Sequence, residues 1–377
     1  MKRVWFCLTT VFLLCGAAHA ATLDDGLAAF RKNDYAAALD ALAPFAEQGN
    51  PDAEAKLGLI YSLGLDTTRN DTRAALWLRK AADQGVAEAQ TNLAILYVNG
   101  QGVRCDYAQA AQWFEKAAVQ GDARAQFNLG NLYYKGQGVM RDLGKSAAWW
   151  RKAADQGYSL AENDLGSLYQ RGAGVAQDEA QAAVWYRRAA EHGDAASQDN
   201  LADMYMHGRG LAQDYAQAAQ WYGKAAAQGL AQDQLILATL YAHGMGLPED
   251  AAAAALWARK AADQGLSAAQ LYLGNIYVTG TGLPQDFTAA AGWFSKAADQ
   301  GSAQAQSALG ELYFLGKGVP QDRVQAYMYL SLASAGSLAV KPGLSPDTVA
   351  AGMSPEQLTS ARAAIRAYRE QHPWSGH

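Results

Sequence analysis

The chain has 377 residues, half of them hydrophobic and 18% charged, a balance that argues against intrinsic disorder. Lys plus Arg number 31 against 36 for Asp plus Glu, a formal charge of −5, so the chain lacks the basic face that general nucleic-acid binding requires. Three cysteines are too few for a disulfide scaffold.

Lys2 and Arg3 open the chain and are followed by an apolar run over 4–15. The run is too short to span a bilayer as a helix. Ala18, His19 and Ala20 then place small residues where a signal peptidase needs them, which predicts a signal peptide over 1–20 and a mature start at Ala21. Leu14, before Cys15, is unsuited to lipid attachment, which requires a small residue there. Cleavage removes two bases and no acid, moving the formal charge from −5 to −7. It leaves Cys105 as the sole thiol, no internal disulfide and no integral membrane segment. The expected location is the periplasm or the extracellular space.

Residues 21–49 read as a short N-terminal capping hairpin, with helices over 23–31 and 35–48 and a turn at Asn33 and Asp34. From residue 50 to 336 one pattern repeats every 36 residues. Leu recurs at 57, 93, 129, 165, 201, 237, 273 and 309, Tyr four residues after each, and Gly three further on. Trp recurs from Trp77 to Trp293, with Tyr329 in the eighth place. A fixed period of this length marks a stack of identical supersecondary units.

In the second unit Ala89, Leu93, Leu96 and Tyr97 fall at i, i+4, i+7 and i+8, one face of a helix. Gly100 supplies a left-handed residue at its end, and Gly102 and Val103 carry the chain round. Asp106 is the N-cap of a second helix, with Gln109 three residues later reading as a capping box. Ala110, Trp113, Ala117 and Ala118 form the next apolar stripe, Lys116 suits the negative helix end, and Gly121 stops the helix. The aromatic residues supply area, and the alanines let helices approach closely. A buried Trp withdraws about 200 Å² from water, worth roughly 5 kcal/mol at about 25 cal/mol/Å². A lone hairpin cannot cover its own stripe, so neighbours must. The aromatics after each repeat Trp, such as Phe114, Trp150, Tyr186, Tyr222 and Phe294, are expected between hairpins.

The motif Ala-x-Ala-Gln-x-x-Leu-Gly-x-x-Tyr-x-x-Gly-x-Gly-Val-x-x-Asp, then Ala-x-x-Trp-x-x-Lys-Ala-Ala-x-x-Gly, resembles the Sel-one-like repeat (SLR), a relative of the tetratricopeptide repeat. The unit from Ala123 to Gly157 carries it closely. The resemblance implies an all-α fold: a right-handed α-solenoid of eight 36-residue helix hairpins with capping helices at both ends. It also implies a surface that binds other proteins. The first unit departs from the motif at Asp66 and Asn70, the sixth at Asp233, and the eighth at Tyr329, Ala333 and Ser334. After the repeats, 337–353 reads as a loop rich in Gly and Pro. Residues 354–377 read as a closing helix and tail: Ser354, Pro355 and Gln357 form a capping box with Pro at its first turn, and Leu358, Ala361, Ile365 and Tyr368 form its stripe.

The sequence offers no catalytic constellation. It has no Gly-x-Ser-x-Gly elbow, no His-Glu-x-x-His, no complete phosphate-binding loop of the form Gly-x-x-x-x-Gly-Lys-Ser/Thr, and no Ser three residues before a Lys. Neither a cofactor nor a catalytic residue is assigned. His207 and His243, one period apart with Asp203 a turn away, fit no recognised ligand spacing and are read as solvated. In similar solenoids the first helices line a concave surface, which the resemblance carries over here. Positions −1, +2 and +6 from the repeat Leu make one stripe on those helices. Its candidate partner-binding residues are Asn92, Asn128, Asn131, Lys135, Asp164, Arg171, Asn200, Asp203 and His207. Asn amides suit a peptide backbone, and Lys135 and Arg171 suit a carboxylate. The expected function is a non-enzymatic scaffold for a protein or peptide partner. The alternative, a penicillin-binding or β-lactamase-like hydrolase, comes only from a cysteine-rich branch of the family, whose cysteine pairs this chain lacks.

Overall fold

The computed structural model describes residues 21–336 and 344–372, and every regular element among them is a helix. The signal-peptide expectation lies outside the described residues. The chain divides into two compact units, the first ending at Gln156 and the second beginning at Gly157.

The first unit opens with α1 (Leu23–Arg31) and α2 (Tyr35–Glu47). Three repeat hairpins follow: α3 (Pro51–Leu63) with α4 (Asp71–Asp83), α5 (Ala87–Asn99) with α6 (Tyr107–Val119), and α7 (Ala123–Lys135) with α8 (Leu143–Asp155). The second unit holds five more: α9 (Ser159–Arg171) with α10 (Glu179–Glu191), α11 (Ala195–His207) with α12 (Tyr215–Ala227), α13 (Ala231–His243) with α14 (Ala251–Asp263), α15 (Ser267–Thr279) with α16 (Phe287–Asp299), and α17 (Ala303–Leu315) with α18 (Arg323–Gly336). It closes with α19 (Pro346–Ala350) and α20 (Pro355–Gln371). The expected loop over 337–353 therefore contains a helical turn, capped by Ser345 and opened by Pro346. Residues 337–343 lie outside the described part.

Local chemistry sets each hairpin. Asp106, Asp142, Asp178, Asp214, Asp250, Asp286 and Asp322 all accept a backbone N–H from the next turn, as N-caps do. The capping box expected at Asp106 and Gln109 does not form. The Asp106 backbone N–H donates instead to the Tyr97 carbonyl oxygen at 3.0 Å. The same bond, cap N–H to the repeat-Tyr carbonyl, recurs in all eight hairpins from Asn70 to Asp322. It answers an orphan carbonyl of the first helix with an orphan donor of the second, so Gln109 has no free N–H to reach for. Helix α6 ends at Val119 with Gln120 as its cap, one residue before the expected Gly121.

The cores confirm the alanine-and-aromatic division of labour but shift its emphasis. Trp113, Trp185 and Trp221 are buried, whereas Trp77, Trp149, Trp257 and Trp293 are half-buried. The deeper position is the one after each Trp: Leu78, Phe114, Trp150, Tyr186, Tyr222, Ala258, Phe294 and Leu330 are all buried. A Cβ on Gly130, Gly166 or Gly274 would lie within 2.4–2.9 Å of the ring of Trp150, Tyr186 or Phe294, so in these three hairpins the first helix gives up a side chain to seat the ring. Every repeat Trp is covered by the cation one turn later, from Lys80 at 4.3 Å to Lys296 at 3.7 Å from the ring centroid. Lys116 thus sits over Trp113 as well as at a helix end. In the second unit, α20 packs on the last hairpin: Tyr368 meets Tyr329 edge-on at 5.8 Å and donates to Asp299 at 3.0 Å. Ser354 and Gln357 make the capping box expected there.

Candidate functional site

Interlocking between hairpins fixes the surface on which a partner would act. A glutamine near the start of each first helix donates to the previous second helix; Gln90 Nε2 reaches the Ala82 oxygen at 3.1 Å. Its own oxygen accepts from a second glutamine ending the same hairpin: Gln120 to Gln90 at 2.8 Å and Gln156 to Gln126 at 2.9 Å in the first unit. Gln228 to Gln198, Gln264 to Gln234 and Gln300 to Gln270 repeat it in the second. Helix α9 breaks the ladder. There Glu162, with no exposed surface, takes the glutamine's place, and its oxygens meet Arg188 at 3.1 Å and His192 at 2.9 Å. A carboxylate cannot donate as the glutamine amide does, and here it rests beside two basic side chains instead. At the array's start Glu54 occupies the same position; burial raises its carboxyl, and the Gln84 amide at 2.7 Å opposes that.

On this frame, the first-unit candidates are partly accessible. Asn92 accepts from Arg124 of the next hairpin, and Asn128 donates to the Arg124 carbonyl at 2.7 Å. Asn131 is half-buried and Lys135 exposed, and neither has a hydrogen bond or ion pair among the described residues. In the second unit Arg171 is exposed and Nε donates to the Ser167 carbonyl at 3.2 Å. Asn200 donates to Asn163 at 3.3 Å. Asp203 is drawn into an internal knot, bonded to Arg209 and to His207 Nδ1 at 2.9 Å. The stripe pattern marks these positions as polar but not as prepaired, because Arg124 and Arg209 lie outside the stripe.

Among the described residues no three His, Cys, Asp or Glu side chains gather as a metal site, and His207 is directed to Asp203. Cys105 is exposed, with Sγ 3.4 Å from the Val98 oxygen; the hollow beside it is lined by Tyr97, Val103, Arg104, Asp106 and Gln109. No helix among the described residues is long and apolar enough to cross a membrane.

Comparison with known proteins agrees with this architecture. The Sel1 repeat matches eight consecutive times, over 51–86, 87–122, 123–158, 159–194, 195–230, 231–266, 267–302 and 303–337. No curated protein matches the chain significantly. Among solved structures, a Sel1 repeat protein from Oxalobacter formigenes is 34% identical over 84% of this chain and 90% of its own, with a TM-score of 0.60. A protective antigen present in uropathogenic Escherichia coli strains, displaying an SLR fold, is 32% identical over 93% of this chain and 91% of its own, with a TM-score of 0.52. Repeats of this kind generally mediate contacts between proteins. With eight 36-residue hairpins in a solenoid-like array, capped by helices at both ends, the chain belongs to the Sel1 repeat family.

Proposed function

We propose that this protein is an exported, non-enzymatic scaffold that binds a protein or peptide along the first helices of its repeats. The observation that carries the reading is the contrast between the fixed and the variable positions. Buried Leu, Ala and the residue after each Trp hold the array, while Asn131 and Lys135 stand accessible with their polar groups uncommitted. An Asn amide offers both a donor and an acceptor to an extended backbone, and a Lys ammonium attracts a carboxylate. Asn92 and Asn128, steadied by Arg124, extend this surface in the first unit. In the second unit Asp164, Arg171, Asn200, Asp203 and His207 hold the corresponding stripe positions. The basic start, apolar run and small residues before Ala21 support export to the periplasm or beyond.

Site-specific photo-crosslinking tests the binding face. A photoreactive residue at position 131, expressed in the native host, should trap a discrete partner, whereas one at Glu115, exposed on α6, should not. Equal trapping from both positions, or none from 131, would refute the assignment of the face.

A further inference from the structure

Successive first helices of the second unit meet along a seam in which the fifth residue of one faces the third residue of the next. The register is visible at α9 and α11, where Ser197 Oγ donates to Asn163 Oδ1 at 2.9 Å. Farther along, Leu235 packs in one cluster with Ala269, and Leu271 with Ala305. Between these lies the step from α11 to α13, where the same register sets Asp199 against Asp233. Asp233 is 2% exposed, and its Oδ2 is buried with no hydrogen-bond partner. Asp199 is half-buried.

An ionised Asp233 is disfavoured in such a place, because burial penalises its charge and repulsion from a facing carboxylate adds to the penalty. The groups around the pair do not neutralise it. Helix α12 contributes Tyr222, whose hydroxyl is itself raised by burial and then by Asp199 and Asp233. Arg209, in the loop after α11, opposes that rise; its Nη2 pairs with Asp203, which also holds His207, and its Nε is buried without a hydrogen-bond partner. Helix α14 turns inward only Ala254, Ala255, Ala258, Ala261 and Ala262. Helix α9 offers Asn163, already bonded to Ser197 and Asn200.

We propose that Asp199 and Asp233 share one proton, that this proton locks the step between α11 and α13, and that this section of the array loosens as pH rises through neutrality. In the locked state the Asp233 hydroxyl donates to the Asp199 carboxylate; release of the proton leaves two facing anions. Burial first, and Asp199 second, push the Asp233 carboxyl up to about 7. A folded-state value above the ordinary 3.8 stabilises the fold most at low pH, and that contribution is lost as pH rises through about 7. This lies opposite to the usual buried ion-paired Asp, which weakens a fold on acidification. The device is independent of what binds the array, although Asn200, Asp203 and His207 ride on α11 and would move with it.

The test is hydrogen exchange of the full chain at pH 5 and pH 8, corrected for intrinsic exchange rates, beside carbon NMR of the labelled Asp carboxyls. The wild type should lose protection in α11 and α13 at pH 8 by about tenfold or more, the factor expected per unit of displaced carboxyl titration. Asp233→Asn keeps the polar contact without the proton, and Asp233→Ala installs the residue found at 161, 269 and 305. Both should abolish the pH dependence of these two helices. Equal wild-type protection at the two pH values, the same slope in the variants, or an Asp233 carboxyl that titrates near 4 would each overturn the proposal. The NMR titration of the wild type decides the matter even if a variant fails to fold.

Discussion

Gly100 and Gly102 lie two residues apart in one loop with nearly the same backbone, φ +67° and +68°. Replacing each with Ala separates the work of turning a chain from the work of stacking hairpins. At Gly100 a Cβ would meet Cys105 Cβ at 3.4 Å, an ordinary contact, so the cost is the left-handed backbone alone, about 1–2 kcal/mol. At Gly102 a Cβ would lie 2.0 Å from the Asp71 carbonyl oxygen and 2.7 Å from the Thr72 nitrogen. Those are backbone atoms at the start of α4 in the preceding hairpin, and no rotamer change relieves them. Restoring an ordinary contact near 3.4 Å requires the hairpins to part by about 1.4 Å. That adds overpacking strain of roughly 1–3 kcal/mol. Gly102→Ala should therefore lose about 2–5 kcal/mol in all, and Gly100→Ala only about the first 1–2 kcal/mol of that. Urea unfolding followed by circular dichroism measures both, with a nearest-neighbour treatment suited to repeat arrays. Hydrogen exchange should place the added loss of Gly102→Ala at α4 and α6. Equal losses for the two variants would refute the reasoning that the second glycine serves stacking.

In α16, Phe294→Ala should cost about 3–5 kcal/mol, since Phe294 is 1% exposed and seated on Gly274, while the half-buried Trp293→Ala should cost less; urea unfolding of the pair gives the order. Mass spectrometry of the exported protein should find Ala21 at its N-terminus, and an acylated Cys15 there would contradict the reading of residues 1–20. Melting temperatures with and without reductant should coincide for the monomer, because Cys105 is the one thiol left after cleavage; a drop on reduction would point to a covalent dimer or a different cleavage site.

The hairpins were legible in the sequence because their determinants are local. An Asp cap, a glycine at the helix end and an apolar residue every third or fourth place each act within one turn. What escaped the sequence lies between turns or between units. In the sequence Gly102 reads as a turn residue; the Asp71 carbonyl that lies against it belongs to the preceding hairpin. The cap N–H bonds the Tyr97 carbonyl because the two helix ends come together, an event that the spacing of Asp106 and Gln109 does not report. Trp293 outranks Phe294 in size, yet the neighbouring Gly274 decides which ring is seated. In the candidate site, type and spacing identified the polar stripe, but the commitments of Asn92 to Arg124 and Asp203 to Arg209 depend on side chains that cross to it from outside. Asp233 stood out only as a departure from Ala; that Asp199 faces it follows from the register between helices.

The central claim, that the first helices bind a partner through their variable polar side chains, is tested most directly by isothermal calorimetry. The partner trapped from position 131 would be titrated into the wild type and into the Asn128→Ala, Asn131→Ala, Lys135→Ala triple variant. None of the three residues caps a helix or is buried, so circular dichroism and melting should stay nearly unchanged. Affinity should fall by about tenfold or more, because several hydrogen bonds and a charge contact are lost together. A normally folded triple variant with wild-type affinity would contradict the claim.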